Sequence, residues 1–170
     1  MKHIARTIAA SALLAATAFS AHAGLAGALV NLKWYFPDSS SVFCDNGNAV
    51  IGAGVEFSGC SGFTGVLIDL TDTGFTVDTG GSTWSTGAFN GFVIDVLTGP
   101  DFDTVSYVGG SMGFTGASVV GGNAAINFAG VSPGGIAEFR FTTAGDVPEP
   151  TSLALVGIAL LGAAALRRRA

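Results

Sequence analysis

Between residues 24 and 146 apolar and polar side chains alternate with a period of two, and no stretch carries the 3.6-residue spacing of an amphipathic helix. Successive side chains of a strand point to opposite faces, so this pattern builds sheets with one apolar face. Over 30–36, Val30, Leu32, Trp34 and Phe36 share one face, while Asn31, Lys33 and Tyr35 share the other. The same reading predicts a strand over 49–57, with Ile51, Ala53, Val55 and Phe57 inward. Further strands follow over 66–70, 74–78, 91–97, 103–108, 111–119, 123–129 and 136–142. Turn residues punctuate them: Asp38-Ser39-Ser40-Ser41, Asp45-Asn46-Gly47, Gly80-Gly81-Ser82, Gly99-Pro100-Asp101, Gly109-Gly110, Gly121-Gly122-Asn123 and Pro133-Gly134-Gly135.

A sheet with one apolar face must cover it. Eight or nine short strands with frequent turns therefore predict an all-β fold, an antiparallel β-sandwich or jelly roll, with a closed barrel as the alternative. The 26 glycines and 13 phenylalanines suit a thin core in which aromatic rings fill the space that small residues leave. Gly62-Phe63-Thr64-Gly65 and Gly113-Phe114-Thr115-Gly116 match, but their flanks do not, and a solenoid is not supported.

The two ends of the chain are of another kind. Residues 1–23 read as a secretory signal peptide, helical and cleaved after Ala23. Lys2 and Arg6 supply the basic region, 8–19 the apolar run, and Ala21-His22-Ala23 the small-x-small site that signal peptidase accepts after Sec export. At the other end, Val147-Pro148-Glu149-Pro150-Thr151-Ser152 precedes an uncharged apolar run, 153–166, closed by Arg167, Arg168 and Arg169. Two prolines around a glutamate lack two backbone donors and fix φ, which makes an extended, accessible hinge.

Fourteen residues at about 1.5 Å per residue give a helix of roughly 21 Å, short of a hydrocarbon core of about 30 Å. Thr151 and Ser152 as a first helical turn, together with snorkelling arginine stems, close much of that gap. Arginines placed after the run put it across the inner membrane with 167–169 in the cytoplasm.

This order of Pro-Glu-Pro, short apolar helix and terminal arginines resembles the PEP-CTERM sorting signal of exported bacterial proteins. The resemblance covers 147–170 and is specific as a composite. It implies recognition of Pro148, Glu149 and Pro150 by exosortase, a membrane-embedded cysteine transpeptidase. Residues 153–166 would be a transient inner-membrane anchor, and Arg167, Arg168 and Arg169 its stop. It further implies release to the cell surface or extracellular matrix, in systems that often accompany exopolysaccharide.

With both ends set aside, 24–146 is one small domain. Lys33 and Arg140 face eleven carboxylates there, a net charge near −9 that repels a phosphate backbone and argues against nucleic acid as a partner. Cys44 and Cys60 lie in an exported segment where thiols oxidise, which predicts a disulfide. A catalytic thiol would need a base, yet His3 and His22 both fall inside the signal peptide.

Asp72-Thr73-Gly74 and Asp78-Thr79-Gly80 carry the Asp-Thr-Gly turn of aspartic proteases, but that dyad needs two loops meeting across two lobes. Two copies six residues apart belong to one hairpin, so they read as turn residues and no enzyme is expected. Asp95, Asp101 and Asp103 around a Gly-Pro turn are a candidate calcium site, although no EF-hand spacing is present; solvated turn carboxylates are the plainer reading, and no other cofactor is expected. Exposed aromatics on a sheet can stack on sugar rings. Tyr35, Tyr107 and above all Trp84, set among Ser82, Thr83, Ser85 and Thr86, are candidate glycan contacts, Trp84 as a core plug being the alternative.

Overall fold

A computed structural model describes residues 24–60 and 65–145. Ten strands occur among them: β1 Leu29–Tyr35, β2 Val42–Val50, β3 Phe57–Ser58, β4 Leu67–Leu70, β5 Gly74–Asp78, β6 Gly91–Thr98, β7 Phe102–Gly110, β8 Gly116–Val120, β9 Asn123–Asn127 and β10 Ile136–Thr143. They form two five-stranded sheets, β2-β1-β6-β9-β8 (sheet A) and β3-β4-β5-β10-β7 (sheet B). Every pairing is antiparallel.

The alternation read from the sequence supplies the core. Val30, Leu32 and Trp34 of β1, Phe92 and Ile94 of β6, and Ala124 and Ile126 of β9 are buried on sheet A. Ile68 and Leu70 of β4, Phe75 and Val77 of β5, and Ala137, Phe139 and Phe141 of β10 are buried on sheet B. All belong to one apolar cluster. Phenylalanine rings carry it across the gap between the sheets, Phe75 meeting Phe92 at 6.3 Å and Phe128 meeting Phe139 at 6.4 Å, both edge-on. Such pairs contribute about 0.5–1.5 kcal/mol beyond the area they bury.

Glycine lets the backbones approach closely at a few points. A Cβ on Gly91 would lie 1.9 Å from the carbonyl oxygen of Ile126 on the neighbouring β9, so no other residue fits there without displacing a strand.

Several segments depart from the alternation reading. Phe36, read on the apolar face of the first strand, lies past the end of β1 and is exposed, and Gly109-Gly110, read as a turn, lies within β7, paired with β10. The predicted strand over 49–57 ends at Val50 and resumes only at β3. Gly54 adopts a left-handed φ of 96°, and the Glu56 carboxylate instead accepts from the amides of Gly52 (2.9 Å) and Leu70 (2.7 Å). Ala53 and Val55 are consequently exposed rather than inward. Asp45-Asn46-Gly47 is not a turn between strands but a bulge inside β2, where the register jumps from Asn31↔Asn48 to Lys33↔Asp45. Gly47 supplies the positive φ of 79° that the extra residues need. The predicted 111–119 strand begins only at Gly116: Ser111 accepts from the Ile136 amide, the Met112 carbonyl accepts from the Tyr107 hydroxyl, and of residues 111–115 Met112 alone is buried.

Candidate functional site

Cys44 on β2 and Cys60 just beyond β3 form a disulfide with Cα atoms 6.5 Å apart, as the export context predicts. It ties the edge of sheet A to the edge of sheet B, since β2 and β3 are outer strands. Asn46, projecting from the β2 bulge, strengthens the same corner: its Oδ1 accepts from the Trp34 indole at 2.8 Å and its amide donates to the Ser58 carbonyl.

Trp84 is not a surface aromatic. It is 2% exposed, stacked on Trp34 at 5.7 Å and tilted on Phe128 at 4.8 Å, so it fills the core and offers no face to a sugar. The polar neighbours that suggested exposure belong to the loop that threads it inward, where the Gly130 amide donates to the Trp84 carbonyl. Tyr107 is half-buried as well, stacked on Phe114 at 5.1 Å. Tyr35 is also half-buried, with its ring set edge-on to Phe89.

Asp95, Asp101 and Asp103 do not converge, and no three His, Cys, Asp or Glu among the described residues stand as a metal-holding group. Asp95 lies on β6 beside Lys33, while Asp103 accepts from Thr142 on the opposite sheet. Asp72 and Asp78 sit at opposite ends of β5, each accepting a backbone amide, from Ala26 and from Gly80 respectively. They face no common point.

A polar cluster on β1, β2 and β6 is one that no motif announced. On the outer side of sheet A, Asn31 lies in register with Asn48 and Asp95, and Lys33 with Asp45. Asn31 donates both amide hydrogens to β2, to Asp45 at 3.1 Å and Asn48 at 2.9 Å. Its Oδ1 is buried and accepts no hydrogen bond among the described residues. Lys33 Nζ stands 3.7 Å from Asp95. The Gly47 amide, then the Asn31 amide and the Lys33 charge, hold the Asp45 carboxyl below the usual aspartate pKa. The Asp45 and Asp95 carboxylates, the Lys33 ammonium and the Tyr35 side chain thus share one face with the buried Asn31 amide, a set that can hydrogen-bond hydroxyls. Period-two parity puts Asn31, Lys33 and Tyr35 on this face; the β2 bulge that brings Asp45 and Asn48 to them has no sequence signature of its own.

Pro148, Glu149, Pro150, the arginines 167–169 and the Ala21/Ala23 site, with the helices expected around them, lie outside the described residues. Of these, comparison reaches the tail and not the Ala21/Ala23 site. A family model for the PEP-CTERM protein-sorting motif matches residues 146–169. The chain carries a PEP-CTERM sorting motif. It is therefore an exported protein, targeted by exosortase through a C-terminal membrane-anchoring signal. No curated protein and no solved structure matches the chain. The PEP-CTERM motif begins at the residue after the last described one, Gly145.

Proposed function

We propose that the chain is a non-enzymatic structural protein of the cell surface or extracellular matrix, associated with exopolysaccharide and biofilm. A β-sandwich cargo, exported by Sec and freed from its leader by signal peptidase after Ala23, is held in the inner membrane by 153–166. Exosortase then cuts it away at Pro148-Glu149-Pro150. The observation that carries this reading is the PEP-CTERM motif at 146–169, which follows directly on a disulfide-closed all-β unit. Extracellular, oxidised, acidic and glycine-rich, such a unit suits a matrix better than a cytoplasm. The test is fractionation of a host that has exosortase. With Pro148-Glu149-Pro150 replaced by three alanines, a longer, membrane-bound form is expected to accumulate; unchanged release of the shorter form would overturn the reading.

A second reading, a carbohydrate-binding module in the same location, is favoured by the outer face of sheet A. Asn31, Lys33, Asp45, Asn48 and Asp95 there lie beside Tyr35, the aromatic that replaces Trp84 as the stacking candidate. Retention on extracellular polysaccharide that is lost in Tyr35→Ala would favour it. Equal behaviour of the variant and the parent chain would remove it.

A further inference from the structure

Both ends of the described chain sit at the same end of the two sheets. The amides of Leu25 and Ala26 donate to Asp72 in the β4–β5 turn, and Phe141 near the close of β10 donates to Thr73 in that turn. Ala144 donates to Asp101 in the β6–β7 turn, and Phe102 to Gly122 in the β8–β9 turn. Gly27 and Ala28 bond with Ile51, just past β2. The outer rim of this end carries Val120 and Val50, 66% and 62% exposed, the two most exposed large apolar side chains among the described residues. Leu97, 48% exposed, stands on β6 between their strands.

We infer that this end rests on the lipid headgroups while the tail is attached, with Val50, Leu97 and Val120 entering the interfacial layer. The inference rests on the anchoring role of the PEP-CTERM motif. Ala144 is the last residue seen bonded to the sheets, and Thr151, where the apolar segment is read to enter the bilayer, is seven residues on. Seven residues reach no more than about 25 Å fully extended. A tether that short keeps the unit at an effective concentration on the order of millimolar at the lipid surface, so contacts too weak for a free protein become populated. The end that bears the tether meets the surface first.

Apolarity alone does not select this end, because Val42 and Ile136 at the far end are exposed too; the point of attachment does. Asp72 and Asp101 in its turns disfavour anionic lipid, which makes a zwitterionic surface the matching partner.

The full chain, reconstituted in phosphatidylcholine vesicles brominated near the carboxyl end of the acyl chain, tests this. Trp34 and Trp84 are buried and give a common background. Val120→Trp is expected to lose emission to the bromines and Ile136→Trp to keep it, with Val50→Trp as a second reporter should the first fail to fold. Equal quenching at the two ends, or none at either, in protein that floats with the vesicles overturns this inference alone. A host in which Val120→Asp blocks exosortase cleavage although no quenching occurs would assign the rim to a protein partner, again overturning it. Protein that fails to float with the vesicles overturns the anchoring reading and this inference with it.

Discussion

Trp34 donates its indole N–H to Oδ1 of Asn46 at 2.8 Å, and the same Asn46 donates to the carbonyl of Ser58. One bulge residue on β2 thus links the aromatic core of sheet A to the first strand of sheet B. Asn46→Ala removes an acceptor and a donor at once. A loss of about 1–3 kcal/mol is expected in urea unfolding, with the emission of Trp34 shifted.

The disulfide closes the same corner. Its cysteines are 16 residues apart, and closing a loop of that size contributes roughly 3 kcal/mol in the chain-entropy model. A Cys44→Ser, Cys60→Ser double variant is expected to unfold at correspondingly lower denaturant. Mass spectrometry of exported protein should find the two thiols joined; free thiols would count against the pairing.

Gly91 and Gly116 provide a contrast within one sheet. A Cβ on Gly91 meets the Ile126 carbonyl, whereas one on Gly116 meets nothing within 4 Å. Gly91→Ala is expected to cost more than about 3 kcal/mol or to prevent folding, as overpacking against a rigid strand does. Gly116→Ala is expected to be neutral or to stabilise by about 0.4–1 kcal/mol, because it restricts the unfolded chain. Thermal denaturation of the pair decides.

Acid should weaken the fold through Asp45 and Asp38. The amide of Gly47 lowers the Asp45 pKa and the hydroxyl of Ser40 that of Asp38, so the unfolded chain protonates first as pH falls. Their contribution is complete above about pH 4 and is lost as pH drops below that value through the folded-state pKa. Asp45→Asn is expected to flatten the decline of the urea midpoint below pH 4 while leaving the neutral-pH trend unchanged.

The inward residues of β1, β6 and β10 were legible because period two is a property of a strand by itself. So was the PEP-CTERM motif, whose chemistry lies in adjacent residues: two prolines, a carboxylate, an uncharged run and a guanidinium cluster. Strand 49–57 was misread because alternation continues through Ala53 and Val55, while a clamp from Glu56 to Leu70, fourteen residues on, draws the backbone elsewhere. Trp84 carried no local mark to separate a plug from a platform, since Ser and Thr neighbours suit either.

Local pattern alone therefore determined that the chain makes antiparallel sheets, which faces of β1, β6 and β10 turn inward, that two cysteines join, and which signal its tail bears. The tertiary structure decided that Trp84 stacks between Trp34 and Phe128, that Asp45-Asn46-Gly47 bulges within β2, and that the polar row of Asn31, Lys33, Asp45, Asn48 and Asp95 assembles. It also gathered both ends of the described chain beside the same turns. Each of those outcomes depends on register and on contacts between residues far apart in sequence, and alternation constrains neither.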